Sequence, residues 1–176
     1  ALRATDHFVS GEEFPVYSCD QCGFHMTGNL PPDDQMDHYY QSDDYISHSD
    51  TRKGLFNRIY HTVRNLMLNQ KFNIVKRATG KTTGRVLDIG AGTGYFLNFA
   101  AGKGWLGTGT ERSAGARRFA REHWKLELLP GDHLFDFPPA SFDAITLWHV
   151  LEHLPELDKY WKTFSRLLPE GGFLFV

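Results

Sequence analysis

Cysteine is nearly absent: Cys19 and Cys22 are the only two in 176 residues, so a disulfide framework cannot be what holds this chain together. None is needed, because a chain of this length buries about 70 % of the surface it would expose unfolded. Long apolar runs are also lacking. No stretch reaches the roughly 20 residues of a membrane helix, and the start has no basic segment followed by an apolar one, so the chain reads as soluble and cytoplasmic, with no membrane partner. An excess of either charge is missing as well, since 19 Lys and Arg face 21 Asp and Glu for a formal charge of −2. Nucleic acid would therefore need a local basic patch, and the arginines at 117, 118 and 121 read better as a solvated helix face.

What is present changes character near residue 54. Residues 1–53 are rich in Asp, His, Tyr and turn residues, are broken by "NLPPDD", and show no sustained period. The expectation is an irregular N-terminal arm or small subdomain. From Gly54 a helix is expected to run toward Ala78, with Leu55, Ile59, Val63 and Leu66 recurring at three and four beside Phe56, Tyr60 and Met67. "RVLDIG" then reads as a first buried strand, and helices and strands alternate after it. "YFLNFAAGKG" is a helix, "WLGTGTE" a strand, "AGARRFAREHW" a helix and "LELLPG" a strand; "FDAITLWHV" is a strand, "ELDKYWKTFSRLL" a helix and "GFLFV" a strand. Such alternation implies parallel βαβ units with right-handed crossovers, and so an α/β, doubly wound, mostly parallel sheet over residues 54–176. Ala1 is not an initiator methionine and "GGFLFV" ends on a strand just begun; the expectation is a fragment, truncated after the fifth strand.

The stretch "VLDIGAGTGYF", residues 86–96, carries the chemistry. Glycines after a first strand let a ligand approach the backbone, beside the amides that open the next helix. A dinucleotide turn wants its third glycine where this chain has Tyr95, and favours an apolar residue over Asp88 near a pyrophosphate. A carboxylate near a sulfonium or an α-amino group is welcome instead.

The stretch resembles motif I of the class I S-adenosylmethionine-dependent methyltransferases, whose fold is Rossmann-like. The resemblance covers residues 85–176. It implies cofactor contacts from Asp88, Gly90, Ala91, Gly92, Gly94 and Phe96 in the turn. It also implies that Glu111 in "GTGTER" accepts the ribose hydroxyls, that Arg112 lies where the adenine packs, and that Asp132 in "GDHLFDFPPASFD" receives the adenine amino group. "SFDAITLWHVLEHL" is similar to the family's fourth strand and "RLLPEGGFLFV" to its fifth. The implied acceptor is a small molecule. A nicotinamide-dependent oxidoreductase and a non-catalytic module that binds S-adenosylmethionine are the alternatives.

"YSCDQCGF" is similar to one knuckle of a zinc ribbon, found ahead of the catalytic domain in some bacterial methyltransferases. Only one knuckle is present, so zinc is expected only with a second one upstream of Ala1; a partial site completed by His25, or free thiols in a β-turn, are the other readings, and no metal ligand is assigned. Tyr39, Tyr40, Tyr45, Ser47 and His48 resemble the segment that follows the ribbon. By that resemblance Tyr40 and Tyr45 would form a lid over the cofactor that excludes water; ordinary packing is the alternative.

Methyl transfer is an in-line displacement in which the protein positions the nucleophile and takes its proton. The residues after the fourth strand, Trp148, His149, Val150, Leu151, Glu152 and His153, are where that group is expected. Trp148 is assigned to the adenosine pocket, with a core tryptophan as the alternative, His149 to general base or substrate orientation, with packing against cofactor or arm as the alternative, and Glu152 and His153 to substrate contact or to fixing the loop. "HVLEH" also fits a protease zinc pattern, but Pro155 and the preceding strand make this a strand-to-loop crossing. His149 stands where metal-dependent methyltransferases carry an acid, which disfavours a hard ion.

Overall fold

A computed structural model of the chain describes residues 2–7, 10–29, 31–32 and 55–176, with side chains from residue 61 in the second stretch of helix and sheet. Two compact units divide it, Ala1–Ser49 and Asp50–Val176. The expected lid tyrosines Tyr40 and Tyr45, and the expected boundary between residues 53 and 54, lie outside the described residues.

Where an irregular arm or a small subdomain was expected, the first unit holds a small sheet. Strands β1 (Leu2–Thr5), β2 (Glu13–Ser18) and β3 (His25–Thr27) pair antiparallel in that order. Their side chains are exposed or half-buried on both faces, with Leu2, Tyr17 and Met26 all open to solvent. A sheet with no buried face leaves no apolar–polar alternation to read. Cys19 and Cys22 form the turn after β2, where the Cys19 amide donates to the Phe24 carbonyl (2.8 Å) and the Gly23 amide to the Cys19 carbonyl (2.8 Å).

The second unit is the doubly wound part. Helix α1 (Leu55–Thr79) precedes β4 (Arg85–Ile89), α2 (Tyr95–Ala101), β5 (Leu106–Thr110), α3 (Ala114–Trp124), β6 (Ala144–Thr146), α4 (Leu157–Leu167) and β7 (Phe173–Phe175), with 3-10 turns at Gly131–Asp136 and Leu151–His153. The four strands are parallel in the order β5-β4-β6-β7. The chain winds outward from β4 to β5, then crosses back to β6 on the other side of β4. That reversal opens a crevice at the carboxyl ends of β4 and β6.

Strand alternation assigns each residue to a face. Val86 and Ala144 enter one core cluster with Phe72 and Val75 of α1 and Phe96, Leu97 and Ala100 of α2, while Leu87, Ile89, Ile145 and Leu147 enter the other with Phe164 and Leu167 of α4. By the same period of two, Asp88, Thr146 and Trp148 belong to the face that α1 covers. The close seat of α2 on β5 requires glycine, because a Cβ at Gly109 would stand 2.5 Å from Leu97 Cδ1 and 2.6 Å from Leu128 Cδ2.

Three expected elements differ. "LELLPG" is not a strand: it touches the sheet through a single bridge between Leu129 and Thr110, and Pro130 next to it has no amide to continue the ladder. The strand expected over "FDAITLWHV" shortens to Ala144–Thr146, since the backbone turns left-handed at His149 (φ 60°). On α1, Val63, Leu66 and Met67 are exposed, and among the described side chains the buried ones are Phe72 and Val75, with Leu68 partly covered beside them. The helix has two apolar faces, and the core takes the one running through 68, 72 and 75.

Candidate functional site

The turn after β4 is built on positive backbone angles: φ is 66° at Gly90, 54° at Gly92 and 79° at Gly94, a region open to glycine at little cost. At Gly90 space also forbids a side chain, since a Cβ would lie 2.5 Å from Val150 Cγ2. The loop after β6 is thus pressed against the turn after β4. The turn is held by the Ala91 amide donating to the Thr110 carbonyl (3.0 Å) and the Gly94 amide to Ala91 (2.9 Å).

Two acids flank it. Asp88 is 2 % exposed and accepts a 2.6 Å hydrogen bond from the Thr146 hydroxyl, its partner in register across β4 and β6. Burial pushes its carboxyl up to about 7 and Glu111 adds to this, although the Thr146 hydrogen bond and the Lys71 charge pull it down. Glu111, 6 % exposed at the end of β5, accepts from the Gly92 amide at one oxygen and from the Ser113 amide at the other, both at 2.8 Å. Its carboxylate therefore ties the glycine turn to the start of α3. Arg117 completes the brace, donating at 2.6 Å to the carbonyls of Glu111 and Arg112; in sequence it looks like one of three surface arginines, and only its spacing of six from Glu111 hints otherwise.

The remaining predicted residues divide by place. The Phe96 ring belongs to the core cluster and meets Trp148 edge-on at 5.8 Å. Trp148 Nε1 is buried without a hydrogen-bond partner, as is Thr110 Oγ1 at the end of β5. Arg112 and Asp132 are exposed, and the Arg112 stem lies beside Gly131, so these two neighbour each other at the β5 end. His149, Glu152 and His153 are exposed on the loop after β6, in a left-handed turn and one turn of 3-10 helix. That geometry separates the two histidines from the single α-helical face a zinc protease needs.

Sequence reading missed Lys71. It lies on the core-facing side of α1, one turn from Leu68 and Val75 and next to Phe72, and its ammonium stands 4.7 Å above the Trp148 ring. A lysine at a core-facing helical position was the available signal.

The family model described as a methyltransferase domain matches residues 61–176. The chain belongs to that family. The ubiquinone biosynthesis O-methyltransferase of Paracidovorax citrulli is 31% identical to this methyltransferase domain over 99 residues, 52% of this chain and 42% of that protein. The enzyme of the same name from Nitrosomonas europaea is 29% identical over 126 residues, 65% of this chain and 51% of its own length. The chain thus spans about half the length of the curated relatives it matches. Among solved structures, a protein from Pyrococcus horikoshii OT3 superposes with a TM-score of 0.55 at 24% identity, over 79% of this chain and 65% of that one. A SAM dependent methyltransferase from Archaeoglobus fulgidus gives 0.50 at 22%, over 60% and 48%. These likenesses show the class I, Rossmann-like fold.

S-adenosylmethionine is the cofactor this family implies, and the residues fit it: a turn with glycine at 90, 92 and 94, two buried acids for its cationic and hydroxyl groups, and unpartnered polar atoms on Thr110 and Trp148 at the strand ends. Zinc fits less well. Hydrogen bonds from the Cys22 and Gln21 amides, and from the Cys22 side chain, hold the Cys19 thiol below its ordinary value, but among the described residues no three His, Cys, Asp or Glu side chains gather into a ligand set. Two thiolates are half of a tetrahedral site.

Proposed function

We propose that this chain transfers a methyl group from S-adenosylmethionine to a small molecule. The observation that carries the reading is the glycine turn at positive φ set between two buried acids, Asp88 and Glu111, at the reversal of strand order. Bound there, S-adenosylmethionine supplies a methyl carbon made electrophilic by its sulfonium. On this reading the amides of Gly90, Ala91, Gly92 and Gly94 line the cofactor without steric hindrance, and Asp88 receives its α-ammonium. Glu111 has lone pairs left for the ribose hydroxyls after holding two amides. Trp148, Arg112 and Asp132 receive the adenine, with Phe96 backing Trp148 from the core. The names of the Paracidovorax and Nitrosomonas relatives support oxygen as the accepting atom. The two free thiols, Cys19 and Cys22, fit a reducing, cytoplasmic setting.

His149 is the residue assigned to the acceptor's proton. It is exposed, next to the Val150 that meets Gly90, on a backbone held in the left-handed region, a conformation that non-glycine residues keep at a cost and that clusters at functional sites. A ring nitrogen of His149 takes the proton of the accepting hydroxyl as the new bond forms, and Glu152 and His153 orient the acceptor. His149→Ala is expected to lower kcat by about 10²–10⁴-fold while leaving cofactor affinity unchanged; unchanged turnover removes the role.

Calorimetric titration with S-adenosylhomocysteine, with NAD as control, tests the function itself. Binding of the first alone is the expected result. Binding of NAD alone means an oxidoreductase, and cofactor affinity with no methyl transfer to any acceptor means a binding module.

A further inference from the structure

We propose that Thr146 of β6 is a positioning residue for cofactor binding: its hydroxyl holds one oxygen of the Asp88 carboxylate, so that the other is left for the cofactor's α-ammonium. The inference rests on the cofactor reading above and assigns a residue that lies outside the glycine motif and touches no cofactor atom itself.

Packing alone does not account for Thr146. It is fully buried in a strand where Ala144, Ile145 and the following Leu147 are buried and apolar, and valine would fill the same space without a hydroxyl to satisfy. The parallel register sets Thr146 beside Asp88, and branching at Cβ leaves its side chain few rotamers. A hydroxyl has one proton to donate. It lies 2.6 Å from Asp88 Oδ1 and 3.4 Å from the Leu87 carbonyl, and the shorter distance is that of a hydroxyl bonded to an ionised carboxylate. The proton therefore goes to Asp88. Among the described residues Thr146 alone donates to this carboxylate, so Oδ2 keeps its lone pairs for a ligand.

The same hydroxyl governs when the acid carries its charge. Burial pushes the Asp88 carboxyl up to about 7, and of the groups that pull it back the Thr146 hydrogen bond counts for most, ahead of the Lys71 charge on α1; Glu111, after β5, adds to the rise. Other charged groups on the neighbouring elements are few. Gly109 stands across from Asp88 on β5, β6 holds no titratable residue and α2 only Tyr95, and Arg64, two turns before Lys71 on α1, lays its guanidinium over the Tyr95 ring at 4.0 Å. An ammonium is attracted to the ionised acid and gains little from the protonated one. Thr146 thus acts on the cofactor through Asp88, and its effect is largest at neutral pH and just below.

The test compares S-adenosylhomocysteine, which carries the α-ammonium, with methylthioadenosine, which lacks the amino-acid end. Kd values for both are measured by calorimetry at pH 6.5 and pH 8.5 on the wild-type protein, Thr146→Val and Thr146→Ser, with melting curves confirming that the variants are folded; Thr146→Ala replaces the valine variant if that one is not. The wild type is expected to bind S-adenosylhomocysteine more tightly at the higher pH and methylthioadenosine equally at both. Thr146→Val should weaken S-adenosylhomocysteine about tenfold at pH 6.5 and no more than about twofold at pH 8.5, the scale of one hydrogen bond to a charged group. Methylthioadenosine should be unaffected, and Thr146→Ser, which keeps the hydroxyl, should behave as the wild type. A purely structural role would weaken S-adenosylhomocysteine by the same factor at both pH values, or weaken both ligands alike, and either result, or unchanged binding in Thr146→Val, overturns the proposal. Failure of the wild type to bind either ligand refutes the cofactor reading instead, and this inference with it.

Discussion

Asp88→Asn is expected to make the ligand-free protein more stable at pH 8 and, at the same time, a poorer binder of cofactor. Asp88 is 2 % exposed and its carboxyl is pushed up to about 7 from an ordinary 3.8. Between those values the folded chain keeps a proton that the unfolded chain has released. Stability contributed by this group is therefore full below about pH 4, falls as pH rises, and is lost once pH passes the folded value. The displacement from 3.8 to about 7 corresponds to on the order of 4 kcal/mol. Asparagine has no proton to lose, and its carbonyl oxygen can still accept the Thr146 hydroxyl. Lys71 loses its facing charge in the variant, which trims the gain to about 2–3 kcal/mol. Urea unfolding at pH 4.5 and pH 8 measures it: the variant's advantage should appear only at the higher pH. An advantage equal at both would show that Asp88 is not the group that titrates. Cofactor affinity should fall by about 1.5–3 kcal/mol, the worth of a hydrogen bond to a charged group.

The opposite signs explain why the acid is there. A carboxylate in a sheet interior destabilises the empty fold, and on the proposed function the cofactor it binds is what maintains it. The nearby Lys71 charge offsets part of that cost, since it pulls the Asp88 carboxyl down.

The central strands were legible because residues 86–89 and Ala144–Thr146 are buried and read as apolar runs broken only by Asp88 and Thr146. Their alternation also told which side each acid faces, once the covering helix was known. The covering helix was the harder part. Residues 55–67 of α1 show an apolar stripe in sequence, yet Val63, Leu66 and Met67 stay exposed while Phe72 and Val75 are covered, because tertiary contacts choose between two competing faces of one helix. The wrong stripe hides Lys71, since a lysine is notable only against the face that is buried. "LELLPG" misled for a related reason. Leu128 is buried in the core cluster, but the segment pairs with β5 only around Leu129. Apolar residues record burial there and say little about pairing. At Glu111 the position was legible and the geometry was not: the family motif supplies an acid, whereas its hold on the Gly92 and Ser113 amides depends on two loops that sequence leaves undefined.

That double hold sets what Glu111→Ala should do. Each carboxylate oxygen accepts one 2.8 Å bond from a backbone amide, Gly92 in the turn and Ser113 before α3. Truncation leaves both donors without that partner, at about 1–3 kcal/mol for each one that stays shielded from water. Water entering the space left by the side chain offsets part of this, so a stability loss of about 2–4 kcal/mol is expected in urea unfolding. Cofactor affinity should fall by a further 1.5–3 kcal/mol or so if the same carboxylate also receives the ribose hydroxyls. Glu111→Gln separates the two contributions. Its carbonyl oxygen can accept one amide, while its NH₂ group opposes the other amide donor, so stability should fall less than in the alanine variant. Either hydroxyl facing the new NH₂ can still accept from it, and binding should therefore be only partly impaired. Loss of stability in Glu111→Ala with S-adenosylhomocysteine affinity intact, measured well below the melting temperature, would confine Glu111 to bracing the turn. The ribose would then have to be held from the other side of the crevice, by the loop that follows β6.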